Sequence, residues 1–320
     1  MSGKYKVSFA LACASHTPVM FDGELASAET CASARSSFER MARFVSEFEP
    51  DLIIEFGPDH FNGFSYSLMP SFCLGAAARS AGDWNLPRIN MPVPEQTALD
   101  LLDHVRRDDF DIALSYSMVL DHGFVQMWDC MFGEIDRYPV VPIFINCAAP
   151  PLPSYRRVRM LGKAVGEFAR KLDKRVLFAA SGGLSHDPPI GDIRTAKGGA
   201  RQRMLGLVTE TAEDQAVREA RVREFGREVH EGRGRIMPLN PDWDAMILDM
   251  LAQGRWDFFD CLDPVAVSAK SGSAANEILC WIAAAAAMNA CSPYRVVQQD
   301  YAPAPGWIAG VGHLAAIEAG

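Results

Sequence analysis

The 320-residue chain reads as an α/β protein, a single domain over residues 1–320 built on a central, mostly parallel or mixed sheet with helices on both faces. Two observations predict this. Short apolar, β-branched or aromatic runs alternate with segments of helical apolar spacing through the first 185 residues. Four of the seven histidines, His16, His60, His122 and His186, each fall just after such a run, as expected where side chains are delivered to one edge of a sheet.

The runs span residues 7–12, 52–56, 112–118 and 175–180, each flanked by Gly, Pro, Asp or Ser. Between the first two, residues 26–48 carry apolar side chains at helical spacing until Pro50-Asp51 stops the helix. Residues 57–94 are rich in Gly, Pro, aromatic and small residues and read as a long, partly irregular excursion over the sheet edge; loops of that length tend to be functional. Residues 96–107 form the next helix, residues 140–146 a strand without a histidine, and residues 156–172 an amphipathic helix feeding the run before His186. Beyond it, residues 198–231 are charged and helical, residues 243–251 a short apolar helix, and residues 276–290 an Ala-rich helix that must be buried on most sides. No Pro/Ser-rich linker divides the chain, so these helices are expected to return onto the sheet.

With 49% hydrophobic and 22% charged residues the composition is that of an ordinary globule, and a net charge of −9 with scattered Lys and Arg argues against a nucleic-acid or anionic-membrane partner. No run approaches the ~20 apolar residues of a membrane span. The apolar stretch within residues 4–13 is shorter than a signal core and reads as the first strand. The eight cysteines show no CxxC or zinc-finger spacing, so reduced thiols and a cytoplasmic setting are expected.

His16 (Ala14-Ser15-His16-Thr17-Pro18) and His60 (Pro58-Asp59-His60-Phe61-Asn62) lie on tight turns and suit metal ligation. A metal-bound imidazole donates its second N–H to a carboxylate or carbonyl, and Asp59 is one candidate. Taken singly, a strand-end histidine is a hydrogen-bonded packing residue; four together are not so easily dismissed. A third ligand is needed, and Glu277 stands at the start of the apolar helix. It reads either as a first-turn charge favoured by the helix dipole or as an inward ligand. Two histidines and a carboxylate form the donor set of non-haem Fe(II). His122 and His186 (Ser181-Gly182-Gly183-Leu184-Ser185-His186-Asp187) suit proton transfer, with Asp121 and Asp187 either biasing their protonation or forming turns. His104 and His230 are expected to be exposed; His313 lies in a Gly-rich tail and acquires no role.

At these residues the chain resembles the class III extradiol ring-cleavage dioxygenases, the LigB-like family, and within it the members acting on 2,3-dihydroxyphenylpropionate. The likeness runs through Ser15-His16-Thr17-Pro18, Pro58-Asp59-His60-Phe61-Asn62-Gly63-Phe64, Met69-Pro70-Ser71-Phe72-Cys73-Leu74-Gly75, Asp121-His122-Gly123-Phe124, residues 140–146 and 181–186, and Trp307-Ile308-Ala309-Gly310. It implies Fe(II) held by His16, His60 and Glu277, His122 as proton donor and His186 as base. The reaction implied is extradiol cleavage of a catechol by O₂, with 3-(2,3-dihydroxyphenyl)propionate or its cinnamate analogue as substrate. A homo-oligomer, dimer or tetramer, is implied as well. Asn276 departs from the histidine of close members. A substrate carboxylate would want a cation, and Arg88, Arg157, Arg159 and Lys270 are open candidates.

Overall fold

The computed structural model describes residues 8–189, 191–208, 210–234 and 236–319. The first strand, Phe9–Ala14 (β1), is buried along its whole length, the pattern of a strand covered on both faces; residue 7 of the expected run lies outside the described residues. Ser27 caps the next helix, Ala28–Phe48 (α1), by accepting the Thr30 N–H, and Glu49 ends it in the left-handed region. Leu52–Gly57 (β2) is again fully buried.

The long excursion holds two strands, Phe72–Gly75 (β3) and Ala78–Ser80 (β4), and leads to Glu95–Arg107 (α2). The apolar run at 112–118 is not one strand. Ala113–Ser115 (β5) joins the main sheet, while Met118–Leu120 (β6) pairs with β4 in a separate two-stranded ribbon. Asp121 then caps a helix, His122–Phe132 (α3), which the sequence reading passed over.

Val140–Ile145 (β7), Tyr155–Ala169 (α4) and Val176–Ser181 (β8) follow as expected. The charged segment splits into Gly198–Met204 (α5) and Ala212–His230 (α6), the latter started by a Thr211–Asp214 capping box. Pro241–Ala252 (α7), Trp256–Asp260 (α8) and Pro264–Ser271 (α9) precede a single 3₁₀ turn, Ala275–Glu277, and the helix Ile278–Cys291 (α10). The tail is a hairpin, Tyr294–Ala304 (β9) and Ala309–Glu318 (β10), absent from the sequence reading.

The eight-stranded sheet has the order β5-β3-β7-β2-β8-β1-β10-β9. Its centre, β7-β2-β8-β1, is parallel; β3 and β10 flank it antiparallel. The sheet is therefore mixed, with α2, α4 and α10 covering one face and α1 and α3 the other. Helix α10 is buried all round because α4 presents glycines to it. A Cβ on Gly162 would stand 2.2 Å from Ala283 O and one on Gly166 2.2 Å from Ala287 O, so the backbones meet without side chains between them. None of the described helices is long and apolar enough to cross a membrane.

Candidate metal centre

Strands β2, β8 and β1 are neighbours and parallel, so their carboxyl ends open on one crevice. His60 follows β2, His186 follows β8 and His16 follows β1. His122 arrives differently, as the first residue of α3, and stacks on His60 with ring centroids 4.2 Å apart. Glu277 enters from the opposite layer on the 3₁₀ turn before α10 and is 2% exposed, so the inward alternative holds. All five expected residues meet.

Their atoms converge closely. His16 Nε2 lies 3.4 Å from His60 Nε2, Glu277 Oε1 lies 3.3 Å from His60 Nε2, and Glu277 Oε2 lies 3.6 Å from His16 Nε2. His186 Nε2 is 3.4 Å from Glu277 Oε1. The far nitrogens are tied down: His16 Nδ1 to Ser181 Oγ at 2.8 Å, His60 Nδ1 to Asp121 Oδ2 at 3.3 Å, His122 Nδ1 to Asp83 Oδ2 at 2.6 Å and His186 Nδ1 to the Leu184 carbonyl at 3.0 Å. Because a carboxylate or carbonyl only accepts, the last three rings donate from Nδ1 and, when neutral, expose a lone pair at Nε2.

The acids beside the histidines in sequence take different partners. Asp59 does not serve His60; its oxygens accept the Gly63 and Phe64 N–H groups. Asp121 holds His60, not its neighbour His122, taking both the backbone N–H at 2.7 Å and Nδ1, while its other oxygen caps α3. Asp187 is a turn former, accepting from Met237 N and Ser273 N. Asp83 was missed, and Ser181, although it heads the segment leading to His186, was given no role; only the fold brings Asp83 to His122 and Ser181 to His16.

The glycines make room for the site itself. A Cβ on Gly123 would meet the His60 ring at 2.8 Å, and one on Gly183 the His186 ring at 2.5 Å. Gly183 also donates its N–H to Glu277 Oε2 at 2.7 Å. Asn276 locks the turn that carries Glu277: its Oδ1 accepts from Tyr155 OH and its Nδ2 donates to Pro264 O and Ser268 Oγ. On the other side, the His16 turn is stitched to the terminal hairpin by Ser15 N–H to Gly312 O and Thr17 Oγ1 to Trp307 O, both 2.9 Å.

Electrostatics match a cation site. Burial pushes His16 down to about 3 against the pull of Glu277, so this ring is neutral. Burial opposes the charge on Glu277, but the surrounding imidazoles, His186 first, hold its carboxyl well below the usual range. In the same way the Asp121 and Glu277 carboxylates overcome burial and raise His60 well above its ordinary value. Without a metal the charge balance falls to protonated rings; a metal ion would supply it directly. The spacing fits too, since donors about 2.1 Å from a shared ion stand about 3.0–3.4 Å from one another. His122 also lies close enough to His16 and His60 to complete a three-nitrogen set; Glu277 adds a carboxylate 3.3 Å from His60 Nε2 and 3.6 Å from His16 Nε2. Among the other histidines, His230 is exposed as expected, His104 is half-buried against Phe168, and His313 is buried in β10.

Residues 10–312 match the family model described as the catalytic LigB subunit of aromatic ring-opening dioxygenase. A Rhodococcus protein named 2,3-dihydroxyphenylpropionate/2,3-dihydroxicinnamic acid 1,2-dioxygenase is 42% identical over 308 residues, covering 96% of this chain and 98% of that one. A protein of the same name from Photorhabdus laumondii is 40% identical over 306 residues, covering 96% of each. Among solved structures, the uncharacterized protein JW3007 from Escherichia coli K12 aligns with a TM-score of 0.51 at 12% identity over 97% of this chain and 99% of that one, a likeness of fold.

Proposed function

Because the chain belongs to the family of catalytic LigB subunits of aromatic ring-opening dioxygenases, and is an extradiol catechol dioxygenase, we propose that its substrate is 3-(2,3-dihydroxyphenyl)propionate or the cinnamate analogue. The product is a ring-opened 2-hydroxy-6-oxo-dienedioate, and residues 1–320 act as one catalytic domain. The observation that carries this reading is the meeting of His16, His60 and Glu277 beside two further imidazoles at one sheet edge, in a chain whose relatives bear that substrate in their names.

The ion is Fe(II), held by His16 Nε2, His60 Nε2 and the Glu277 carboxylate. When bound, it supplies the redox chemistry that brings diol and dioxygen together. The protein does the rest. His186, with Nδ1 committed to the Leu184 carbonyl, offers Nε2 to take a proton from a catechol hydroxyl. His122 lies across the cluster against His60 and returns a proton to oxygen during ring opening. His16, 4% exposed, and Glu277 keep the floor dry, while His60 faces the opening with its side chain 24% exposed.

The side-chain carboxylate of the substrate would need a cation, with Arg88, Arg157, Arg159 and Lys270 as the candidates. Arg157 sits over the Phe110 ring and Arg159 is bidentate to Asp260, so these two cations are engaged elsewhere. Arg88 donates Nε to Ala81 O, and Lys270 is exposed. This favours testing a neutral alkylcatechol beside the propionate. The protein works as a cytoplasmic homo-oligomer in catabolism of aromatic compounds.

The test is anaerobic Fe(II) loading of the full chain, followed by oxygen and a panel of catechols, reading the yellow ring-opened product. Turnover highest with 2,3-dihydroxyphenylpropionate is the expected result. Activity with Zn(II) alone would overturn the iron assignment, and preference for an alkylcatechol or protocatechuate would overturn the substrate.

A further inference from the structure

The four imidazoles of the centre are not held alike. His186 leans on a peptide carbonyl and His16 on a hydroxyl, whereas His60 and His122 are each gripped twice by one buried carboxylate, His60 by Asp121 and His122 by Asp83, the latter with the shorter contact to Nδ1. Asp83, 2% exposed, accepts the His122 backbone N–H at 3.1 Å through Oδ1 and faces His122 Nδ1 at 2.6 Å through Oδ2. We propose that Asp83 is a positioning residue for His122, fixing the ring and its Nδ1 proton so that Nε2 is the nitrogen left for proton transfer. The proposal rests on the reading of His122 as proton donor.

The geometry leaves Asp83 little else to do. Its turn is clamped from outside the site: Trp84 N–H donates to Glu219 Oε1 at 2.9 Å, and Glu219 of α6 is itself buried and braced by Gln215 Nε2. Trp84 and Asn85, with φ of 53° and 63°, are consecutive non-glycine residues in the left-handed region, a strained backbone that persists only when its surroundings over-determine it. The His122 ring is confined between Trp84, edge-on at 6.2 Å, and His60, stacked at 4.2 Å. Helix α6, whose polar face gave no hint of a role, thus reaches the reacting side chain through Glu219, the Trp84 peptide and Asp83.

The second hydrogen bond makes the tautomer predictable. In Asp83→Asn the His122 backbone N–H still requires an acceptor, so the amide oxygen must stay at the Oδ1 position and the NH₂ must face Nδ1. That ring nitrogen then has to accept, and the proton moves to Nε2. The substitution is nearly isosteric, so it changes which nitrogen carries hydrogen while leaving packing almost intact.

Steady-state kinetics of Fe(II)-loaded D83N, H122Q and the double variant test this. D83N is expected to keep its iron, to hold KM within about threefold and to lose about 100-fold or more in kcat, and to add no loss in the H122Q background. Losses that multiply in the double variant, or iron lost from D83N, would overturn the proposal. Full activity in H122Q would remove the reading of His122, whereas full activity in D83N with an impaired H122Q would overturn the role of Asp83 alone. Histidine ¹⁵N NMR of the Zn(II)-loaded full chain decides the matter independently of D83N folding: wild-type His122 must carry hydrogen on Nδ1, and a bare Nδ1 overturns the proposal.

Discussion

The backbone N–H of Gly183 donates to Glu277 Oε2 at 2.7 Å, joining the loop after β8 to the turn before α10 across the metal centre. This bond orients a carboxylate that is 2% exposed and flanked by three Nε2 atoms. Glu277→Gln keeps the shape and removes the charge. We expect its Fe(II) affinity to fall by more than about 100-fold, beyond the usual effect of losing an outer partner, read as iron per chain after anaerobic loading and desalting.

Ligands and proton-transfer groups separate on the same assay. His16→Ala and His60→Ala should lose iron. His122→Ala and His186→Ala should retain it and lose about 10²–10⁴-fold in turnover. Retained turnover in either of the last two would remove its assigned role.

The α4–α10 contact tolerates no added atom. Gly162→Ala and Gly166→Ala each drive a methyl to 2.2 Å from a carbonyl oxygen of α10. Each should destabilise by about 1–3 kcal/mol or more, measured as a lowered urea midpoint with unchanged slope.

His313 predicts the acid limb of stability. Burial against Phe38 pushes it down from 6.5 to about 4, and its Nε2 has no partner. Between those values the unfolded chain binds a proton that the folded chain refuses, so stability falls as pH drops through this window, by about 3 kcal/mol in all. His313→Leu should flatten that limb in urea titrations between pH 6.5 and 4.

Glu55 acts on the opposite side. Burial pushes its carboxyl up from 4.5 to about 8, with Trp128 Nε1 donating to it at 2.9 Å. The folded state holds a proton that the unfolded state releases, so this contribution is full at low pH and fades as pH rises through about 8. Glu55→Gln, which keeps the acceptor for Trp128, should make stability less dependent on pH over that range.

The four histidines were legible because each follows an apolar run at a turn, and the sheet order then brings the ends of β2, β8 and β1 together. Glu277 was legible only in part: an acid heading an apolar helix left the solvated first-turn charge open beside the inward ligand, and the family resemblance favoured the latter. Their supports were not legible. Asp83 lies in an irregular segment without period, and its pairing with His122 depends on a two-stranded ribbon too short to announce itself. Sequence adjacency did not decide the acids: Asp59 and Asp187 accept from turn N–H groups, and Asp121 serves His60 across the site and not its neighbour His122. The helix after Asp121 was signalled by that cap and by Gly133 at its end, both overlooked beside the apolar run that precedes them. The terminal hairpin was hidden differently in its two strands: β9 follows its Tyr- and Val-bearing start with Gln, Asp and Pro, while β10 is Gly- and Ala-rich with few β-branched residues.

The stitching of the His16 turn to Gly312 and Trp307 makes one wall of the cradle depend on a distant segment. Thr17 and Trp307 are 290 positions apart, so the turn that presents His16 is rigid only when β10 has paired with β1. Order at this corner of the candidate metal centre is cooperative with the whole sheet, not local.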